Sequence, residues 1–276
     1  MLRVKERKVY DMVAAGEIPH RRITGKLLFP RAELEAWLSG DAIAAPVRSA
    51  PDVVAGSHDP LLDWAIRQSG SGLATLFDGS MDGVERLASG QASAAGLHVF
   101  EPETGDWNLG LTERHFGGSS VVLIEWARRQ QGLILAPNLT GKISTVADLR
   151  GRRIAMRQQA AGAAVLFNHL VDQASLSAEE FQVMPEVART ETEAAVAVAS
   201  DQADAAPGLE AVARQFGLAF VPTLMERFDL AIDRRAWFEK PLQTLLEFAR
   251  SDALARKAGE LGGYDVSAMG RVVWNG

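Results

Sequence analysis

Apolar residues in the region after residue 52 come in short runs, separated by stretches with helical periodicity. Residues 53–56, 73–77 and 94–97 have the apolar character of strands, and residues 60–68 and 80–89 have the spacing of helices. The order β-α-β-α-β is typical of strands that lie parallel and are joined by crossover helices. The pattern therefore predicts an α/β fold with an open, mainly parallel sheet and helices on both faces.

The alternation continues into the second half of this region. Strands are predicted at residues 121–124, 132–136 and 153–156, with a short helix starting at Thr145 or Asp148 before the last of them. A further helix is predicted after Thr192. The α/β interpretation thus extends over residues 52–276.

Two segments of this region resemble each other. Residues 87–96 and 198–206 share an Ala-rich sequence in which a predicted helix ends and a strand begins. Such an internal echo indicates two similar α/β lobes that face each other. In proteins of that architecture, ligands bind in the crevice beyond the carboxyl ends of the strands.

The first forty residues follow a different pattern. Apolar residues at positions 9, 12 and 13 give one stripe of a short amphipathic helix, with Lys5, Arg7 and Lys8 on its exposed side. Gly16 ends this helix, and two short strands around Thr24-Gly25-Lys26 form a hairpin. Pro30 opens another helix over residues 31–38. Helix, basic hairpin and helix together are the layout of a winged helix-turn-helix.

Charge divides the chain at the same place. Residues 1–40 carry eight basic residues against five acidic ones, a net charge of +3, whereas the rest carries 21 against 30, a net of −9. A basic segment on an acidic body indicates a nucleic-acid-binding arm on a domain with another role. Residues 41–51, Ala-rich and with two prolines, are interpreted as a linker between the two domains.

Composition excludes several classes of protein. The chain contains no Cys, so disulfides and thiolate metal sites are ruled out. We see neither a signal peptide nor an apolar run of about 18 residues, and therefore expect a cytoplasmic protein with no membrane partner. The sequence also lacks a nucleophile elbow, a P-loop and a dinucleotide fingerprint, so no catalytic residue is assigned and an enzyme is not expected.

The N-terminal segment resembles the MerR-like/excisionase-type helix-turn-helix of bacterial regulators. The residues that carry the resemblance lie in four runs, 3–10, 16–19, 24–30 and 33–38. The resemblance implies binding to double-stranded operator DNA. It places Lys5, Arg7, Lys8 and Tyr10 on the recognition helix, and Arg21, Arg22 and Lys26 on the wing.

One departure from this family concerns the start of the motif. Its members carry another helix before the segment that corresponds to Leu2–Lys5, whereas this chain begins at Met1, almost on the recognition helix. Two alternatives stay open: translation starts further upstream, or the motif lacks its first helix. In the second case Val9, Met12 and Val13 would have little to pack against.

The larger region is similar to the periplasmic-binding-protein-like (type II) domains of cytoplasmic regulators, which are related to molybdate- and tungstate-binding proteins. The resemblance is carried by residues 55–63, 79–83, 96–105, 129–134 and 261–265. It implies a two-lobed fold and a small anionic ligand, molybdate or tungstate. No cofactor is expected, and no metal either, because Asp59, His98 and Glu101 lack the spacing of metal ligands. A small organic anion is the main alternative.

The ligand site is expected where two strand ends lead into helices. Backbone N–H groups and the hydroxyls of Ser57 and Ser80 would form an anion cradle without formal charge. Both serines are also ordinary helix N-cap candidates. His58 would bind the ligand or orient Asp59, and the adjacent residues 57–59 are unable to align as a catalytic triad. Met81 belongs to the second strand-turn-helix segment.

His98 and the second lobe supply the remaining candidates. His98, at a strand end, is a pocket residue or an interlobe contact. Arg157 and Gln158 match the family's second-lobe loop, where the resemblance implies further donors that this chain replaces with Ala161, Ala163 and Ala164. Thr192 and Tyr264 complete the predicted ligand-binding set.

Glu191 does not fit a site for a simple anion. Its carboxylate would repel an anion and would favour a ligand that carries a hydrogen-bond donor or a cation. Its structural alternative is a first-turn residue that interacts with the helix dipole.

These observations predict a one-component transcriptional regulator that binds DNA as a homodimer and responds to an anion. A single short recognition helix reads few bases, which is why a dimer is expected. The alternative is a ligand-binding or scaffold protein whose DNA-binding element is vestigial.

Overall fold

A computed structural model describes residues 6–15, 17–23, 26–29, 31, 34, 37–38, 50–158 and 162–276. Residue contacts divide the chain into two compact units, Met1–Ser49 and Ala50–Gly276. Lys5, Ala161 and most of the proposed linker lie outside the described residues. The same holds for the side chains of Arg21, Arg22 and Lys26, which were assigned to the wing.

The N-terminal unit contains the predicted helix, hairpin and start of a second helix. Helix α1 (Glu6–Ala14) is followed by strands β1 (Arg21–Ile23) and β2 (Lys26–Leu28), which pair antiparallel. The described residues between 31 and 38 are helical. On α1, Arg7, Lys8 and Tyr10 are exposed whereas the apolar stripe is half-buried, as the periodicity predicts.

The large unit is built from twelve strands and nine α-helices among its described residues. Its strands are β3 (Val53–Gly56), β4 (Ala74–Leu76), β5 (Ala94–Leu97), β6 (Phe100–Glu101), β7 (Asp106–Trp107), β8 (Val121–Leu135), β9 (Arg153–Ile154), β10 (Gln182–Val183), β11 (Ala205–Leu209), β12 (Ala219–Asp233), β13 (Tyr264–Asp265) and β14 (Val272–Asn275). Its helices are α2 (Pro60–Ser69), α3 (Ser80–Ala88), α4 (Leu109–Phe116), α5 (Gly162–Gln173), α6 (Glu191–Ala199), α7 (Glu210–Gln215), α8 (Arg234–Trp237), α9 (Lys240–Phe248) and α10 (Asp252–Leu261).

The order of the strands in the main sheet is nearly palindromic: β10-β9-β11-β8-β12-β5-β3-β4. At one end β3, β4 and β5 are parallel, and at the other β9, β10 and β11 are parallel. Strand β5 pairs antiparallel with β12, and β11 pairs antiparallel with β8. The sheet is therefore made of two similar halves. The echo between residues 87–96 and 198–206 falls on the equivalent turns from α3 to β5 and from α6 to β11.

Strands β8 and β12 connect the halves. Each is 15 residues long, and they pair with each other along most of their length. We call residues 126–130 of β8 and 224–228 of β12 the hinge. They lie between one end of this strand pair, where β12 also pairs with β5, and the other end, where β8 also pairs with β11. Lobe 1 is then the half that contains β3–β5, and lobe 2 the half that contains β9–β11.

Two predictions about this sheet are wrong. The strands expected at 121–124 and 132–136 are a single strand, because the polar residues between them pair with β12. The sheet is also mixed rather than mainly parallel, since both long strands run antiparallel to their neighbours. Residues 125–131 were assigned to neither predicted strand, yet Glu125, Arg129 and Gln131 are buried in this one.

Each lobe has its own apolar core. In lobe 1, α2 and α9 pack on the sheet and bury Leu61, Leu62 and Leu245. In lobe 2, Phe167 of α5 packs against the sheet and against Phe181. No helix among the described residues is long and apolar enough to cross a membrane.

The start of α3 is held directly against the end of β3. An added Cβ on Gly83 would lie 2.5 Å from Gly56 Cα and 2.9 Å from Gly56 N. Only a residue without a side chain permits this approach, because a backbone atom at that distance has no room to yield. The contact brings the strand end at residue 56 and the helix start at residue 80 together.

We expect Gly83→Ala to lower the free energy of unfolding by about 1–3 kcal/mol, since α3 would have to move off β3. Urea denaturation of the full chain measures this change. Gly259→Ala is the matched control, because Gly259 lies in α10 with open space around it and Ala favours helix by up to about 1 kcal/mol. Equal stability of the Gly83 variant and the wild type would contradict the close contact.

Candidate functional site

A cavity of about 140 Å³ lies between the two lobes at the ends of their strands. It is lined by Ser57, Asp78, Gly79, Ser80, Met81, Asp82, His98, Arg157 and Gln158. A smaller space of about 20 Å³ adjoins it and shares several of these residues. The smaller space is lined by Ser57, His58, Phe77, Gly79, His98, Arg157, Arg189, Thr190 and Glu191. The position agrees with the crevice expected for a two-lobed α/β protein.

Lobe 1 contributes two hydroxyls to the cavity. Ser57 Oγ and Ser80 Oγ are 2.8 Å apart, and Ser80 Oγ also accepts a hydrogen bond from His98 N at 3.2 Å. Because only one of the two hydroxyl protons is used in their mutual bond, the other is available to a ligand. Ser80 is the first residue of α3, whose N-terminal N–H groups and dipole favour an anion.

Neither serine caps a helix, so the capping alternative is wrong. Asp59 is the N-cap of α2, with its carboxylate accepting from Leu62 N at 2.6 Å. Gly79 precedes α3 with a positive φ of 105° and provides no side-chain cap. The hydroxyls of Ser57 and Ser80 are therefore not used in capping.

Lobe 2 contributes Arg157, which follows β9. Its Nη2 donates to Arg189 O at 2.9 Å, whereas its Nε is buried without a partner among the described residues. Burial lowers the pKa of Arg157, against the opposing effects of Glu191 and Glu193. Gln158 lines the same cavity and is exposed. Arg157 is thus a cationic donor with unused capacity beside the hydroxyls of lobe 1.

Asp59 and Tyr264, predicted as ligand-binding residues, do not line either cavity. Asp59 is fully buried and accepts from Trp126 Nε1 at 3.2 Å, Arg129 Nη1 at 3.1 Å and Tyr264 Oη at 2.6 Å. Its carboxylate is saturated by these donors and by the helix cap. Burial and then Asp59 raise the pKa of Tyr264, which keeps its hydroxyl protonated as a donor. Both residues belong to a buried network that contacts the hinge through Trp126 and Arg129.

Arg129 is the centre of this buried network. It lies directly opposite Glu226 in the register of β8 and β12, and it forms ion pairs with Glu226 and Asp59. Burial opposes its charge, but Glu226 and Asp59 outweigh burial and raise the pKa of Arg129. Burial likewise opposes the charge of Glu226, yet Arg129 and His98 lower its pKa. The shifts of Arg129 and Glu226 both favour the charged forms, so a buried ion pair joins the two long strands.

A family model described as the PBP superfamily domain matches residues 62–250. The chain belongs to the PBP superfamily. A second model, described as a helix-turn-helix domain, matches residues 1–41. The resemblances to an excisionase-like helix-turn-helix and to a PBP-like domain are thus confirmed at the level of the two domain families.

Two known proteins show the extent of the similarity. The uncharacterized protein YvgK of Bacillus subtilis (strain 168) is 22% identical over 293 residues, which cover 99% of this chain and 94% of that protein. PhnD1 from Prochlorococcus marinus (MIT 9301), solved in complex with methylphosphonate, aligns with a TM-score of 0.51 at 11% identity. That alignment covers 71% of this chain and 81% of PhnD1, and it supports the two-lobed PBP fold.

His98 joins the cleft of the PBP domain to its hinge. It lines both spaces, and its Nδ1 lies 3.2 Å from Glu226 Oε2. Across the cleft it contacts the start of α5, where a Cβ on Gly162 would lie 2.4 Å from His98 O and 2.7 Å from His98 Nδ1. The rings of Phe100 and His169 also meet between the lobes, with centroids 4.9 Å apart. Both alternatives for His98, pocket residue and interlobe contact, agree with its position.

The remaining predicted residues divide between the cleft and its surroundings. Met81 lines the larger cavity, and His58 lines the smaller space with its ring edge against Phe77 at 5.4 Å. Thr192 is half-buried and lines neither space; Thr190 and Glu191 do so, because the helix begins two residues earlier than expected.

Sequence reasoning also missed Phe77 and Asp78, although both directly follow β4 and strand ends were the expected location. Among the described residues, no group of three or more His, Asp or Glu is arranged to hold a metal ion.

Removing the buried cation should be strongly destabilising. We expect Arg129→Met to lower the free energy of unfolding by about 3–5 kcal/mol, because the buried carboxyl groups of Asp59 and Glu226 would lose the cation that pairs with both. Arg128→Met, one residue earlier and half-exposed, is the control. Its partner Glu125 keeps Arg271, so a loss below about 1 kcal/mol is expected. Similar losses in the two variants, measured by urea unfolding, would contradict the role given to Arg129.

Gly162 sets how closely the lobes approach. We expect Gly162→Ala to hold them further apart, since the new methyl group would clash with the His98 carbonyl. The distance is measurable between spin labels at Gln68→Cys and Glu179→Cys, two exposed positions in different lobes of a chain without native Cys. Gly259→Ala in the same labelled background is the control. An unchanged interlobe distance in the Gly162 variant would count against this contact as a limit on closure.

Proposed function

We propose that this protein is a DNA-binding transcriptional regulator whose PBP domain binds a small anion between its lobes. The observation that carries the proposal is the cavity where Ser57, Ser80 and the start of α3 face Arg157. One side offers neutral donors at a helix N-terminus and the other a guanidinium with an unused N–H. Donors of this kind, facing each other from two lobes, favour closure around an anion.

The anion would act by bringing the lobes together. Bound between Ser80 and Arg157, it would add an attraction that exists only when the cleft is closed, and so shift the population toward the closed form. The closed PBP domain would then change the affinity or the placement of the helix-turn-helix on DNA. A coupling of this type typically changes affinity about 5–150-fold.

Molybdate and tungstate are the anions that the sequence resemblance implies. Ser57, Ser80 and Arg157 are suitable for the acceptor oxygens of either oxyanion. The replacement of family donors by alanine counts against them, because Ala163 and Ala164 are buried in α5 and provide no polar atom to the cleft. A small organic anion, which needs fewer donors, is the alternative for the same side of the cleft.

The DNA-binding half of the proposal concerns the N-terminal unit. Arg7, Lys8 and Tyr10 are exposed on one helix, and we propose that they contact DNA. Lys5 on the same segment, and the wing residues Arg21, Arg22 and Lys26, are proposed as further contacts. A homodimer on a two-fold operator would supply the second recognition helix. The role implies a cytoplasmic location.

Fluorescence anisotropy with a labelled DNA duplex tests this function. Random-sequence duplex should bind with an affinity that falls as salt rises, and Arg7→Ala/Lys8→Ala should reduce the log–log slope by about two. Lys257→Ala in the PBP domain is the control and should leave the slope unchanged. A duplex selected for tight binding is then titrated with molybdate, tungstate, phosphate and methylphosphonate, of which at least one should shift DNA affinity at least about fivefold.

The two halves of the proposal fail separately. Absence of salt-dependent DNA binding at low salt would remove the regulator function and leave an anion-binding protein with a vestigial DNA element. DNA binding that no anion alters would instead remove the sensor function.

A further inference from the structure

Glu191 is a buried carboxylate without a hydrogen-bond or ion-pair partner among the described residues. It is 8% exposed and lines the smaller part of the cleft at the first turn of α6. No described residue hydrogen-bonds to its carboxylate or forms an ion pair with it within 4.0 Å. The other buried carboxylates of the described chain all accept hydrogen bonds from side chains; they are Asp59, Glu125, Glu226 and Asp229. Glu191 therefore faces the cleft with unused acceptor capacity.

Such a group has more to gain from a partner in the cleft than an exposed one. A carboxylate that loses most of its contact with water needs donors in exchange. The N-terminus of α6 provides part of the compensation through its dipole, but the side chain that caps this helix is that of Thr190, which accepts from Glu193 N. The acceptor capacity of Glu191 is left for a group that enters the cleft.

Arg157 has the complementary property, an unused hydrogen-bond donor. It lines the same space, its Nε lacks a partner among the described residues, and Glu191 favours its charged form without touching it. The cleft thus contains a guanidinium and a carboxyl group that do not contact each other, each with unused hydrogen-bonding capacity. A molecule that satisfies both must present acceptor oxygens to Arg157 and a donor to Glu191.

We propose that the ligand of this cleft is an anion that carries its own hydrogen-bond donor, an acidic O–H or an ammonium group. This inference rests on the proposed function and narrows its ligand class. Glu191 would accept the donor, while Ser57, Ser80 and Arg157 hold the anionic oxygens. Hydrogen phosphate, a singly protonated phosphonate and an amino acid all have this chemistry. Molybdate, tungstate and sulfate lack a proton at neutral pH, so Glu191 selects against them.

Calorimetric titration of the full-length protein at pH 7 tests the inference. The donor-bearing probes are phosphate, singly protonated methylphosphonate and glycine. The acceptor-only probes are molybdate and sulfate. The wild type should bind at least one donor-bearing probe about tenfold or more tighter than either acceptor-only probe. The probe that binds best distinguishes an acidic O–H from an ammonium group.

Glu191→Gln is the decisive variant. Its neutral amide has an N–H to offer, so binding of molybdate and sulfate should strengthen about tenfold or more, and binding of the preferred donor-bearing probe should weaken by a similar factor. Glu179→Gln, an exposed position in the same lobe that lines neither space, is the control and should keep the wild-type preference. Thermal unfolding of each variant checks that it is folded; should Glu191→Gln fail to fold, the wild-type preference alone decides.

The outcomes separate this inference from the function on which it rests. Wild-type protein that binds molybdate or sulfate as tightly as every donor-bearing probe would overturn the inference and leave an anion sensor in place. Wild-type protein that binds none of the five probes would overturn the anion-sensor function and the inference with it.

Discussion

Arg129 is the residue on which the arrangement of the PBP domain depends. It lies on β8, where the two long strands run from one lobe to the other. It pairs with two carboxyl groups, that of Asp59 at the start of α2 and that of Glu226 on the neighbouring strand β12. A fully buried guanidinium is tolerable only while both acceptors are in place. The first helix of lobe 1 is therefore fixed relative to the hinge by electrostatics as well as by packing.

The same constraint determines what remains free for a ligand. Asp59 is consumed by the helix cap, Trp126, Arg129 and Tyr264, so the strand end after Gly56 offers the cleft neutral hydroxyls in place of a carboxylate. The near-palindromic strand order then places the corresponding strand end of lobe 2 opposite it, with Arg157. The cleft is lined by donors because the neighbouring acid, Asp59, is buried against the hinge.

The sequence predicted the parts of this protein that obey local rules. Helix α2 begins at Pro60 as expected, and the turns after Leu87 and Val198 revealed the two-lobed repeat. The continuity of β8 was hidden because its hinge is polar, and only pairing with β12 shows why such residues lie in a strand. Asp59 and Tyr264 were assigned to the ligand for a related reason: their partners are up to 205 positions away in the chain, and no local pattern indicates them.

His98 contacts both the cleft and the hinge. One side of its ring faces the cavity and Gly162 of lobe 2, while Nδ1 reaches Glu226, which in turn pairs with Arg129. Any movement of α5 toward or away from lobe 1 must act on this ring, because the contact with Gly162 leaves no space for a methyl group. The ring is also stacked on Phe228 of the second long strand, with centroids 5.9 Å apart. A change in the approach of the two lobes would therefore act on β12 through direct contacts.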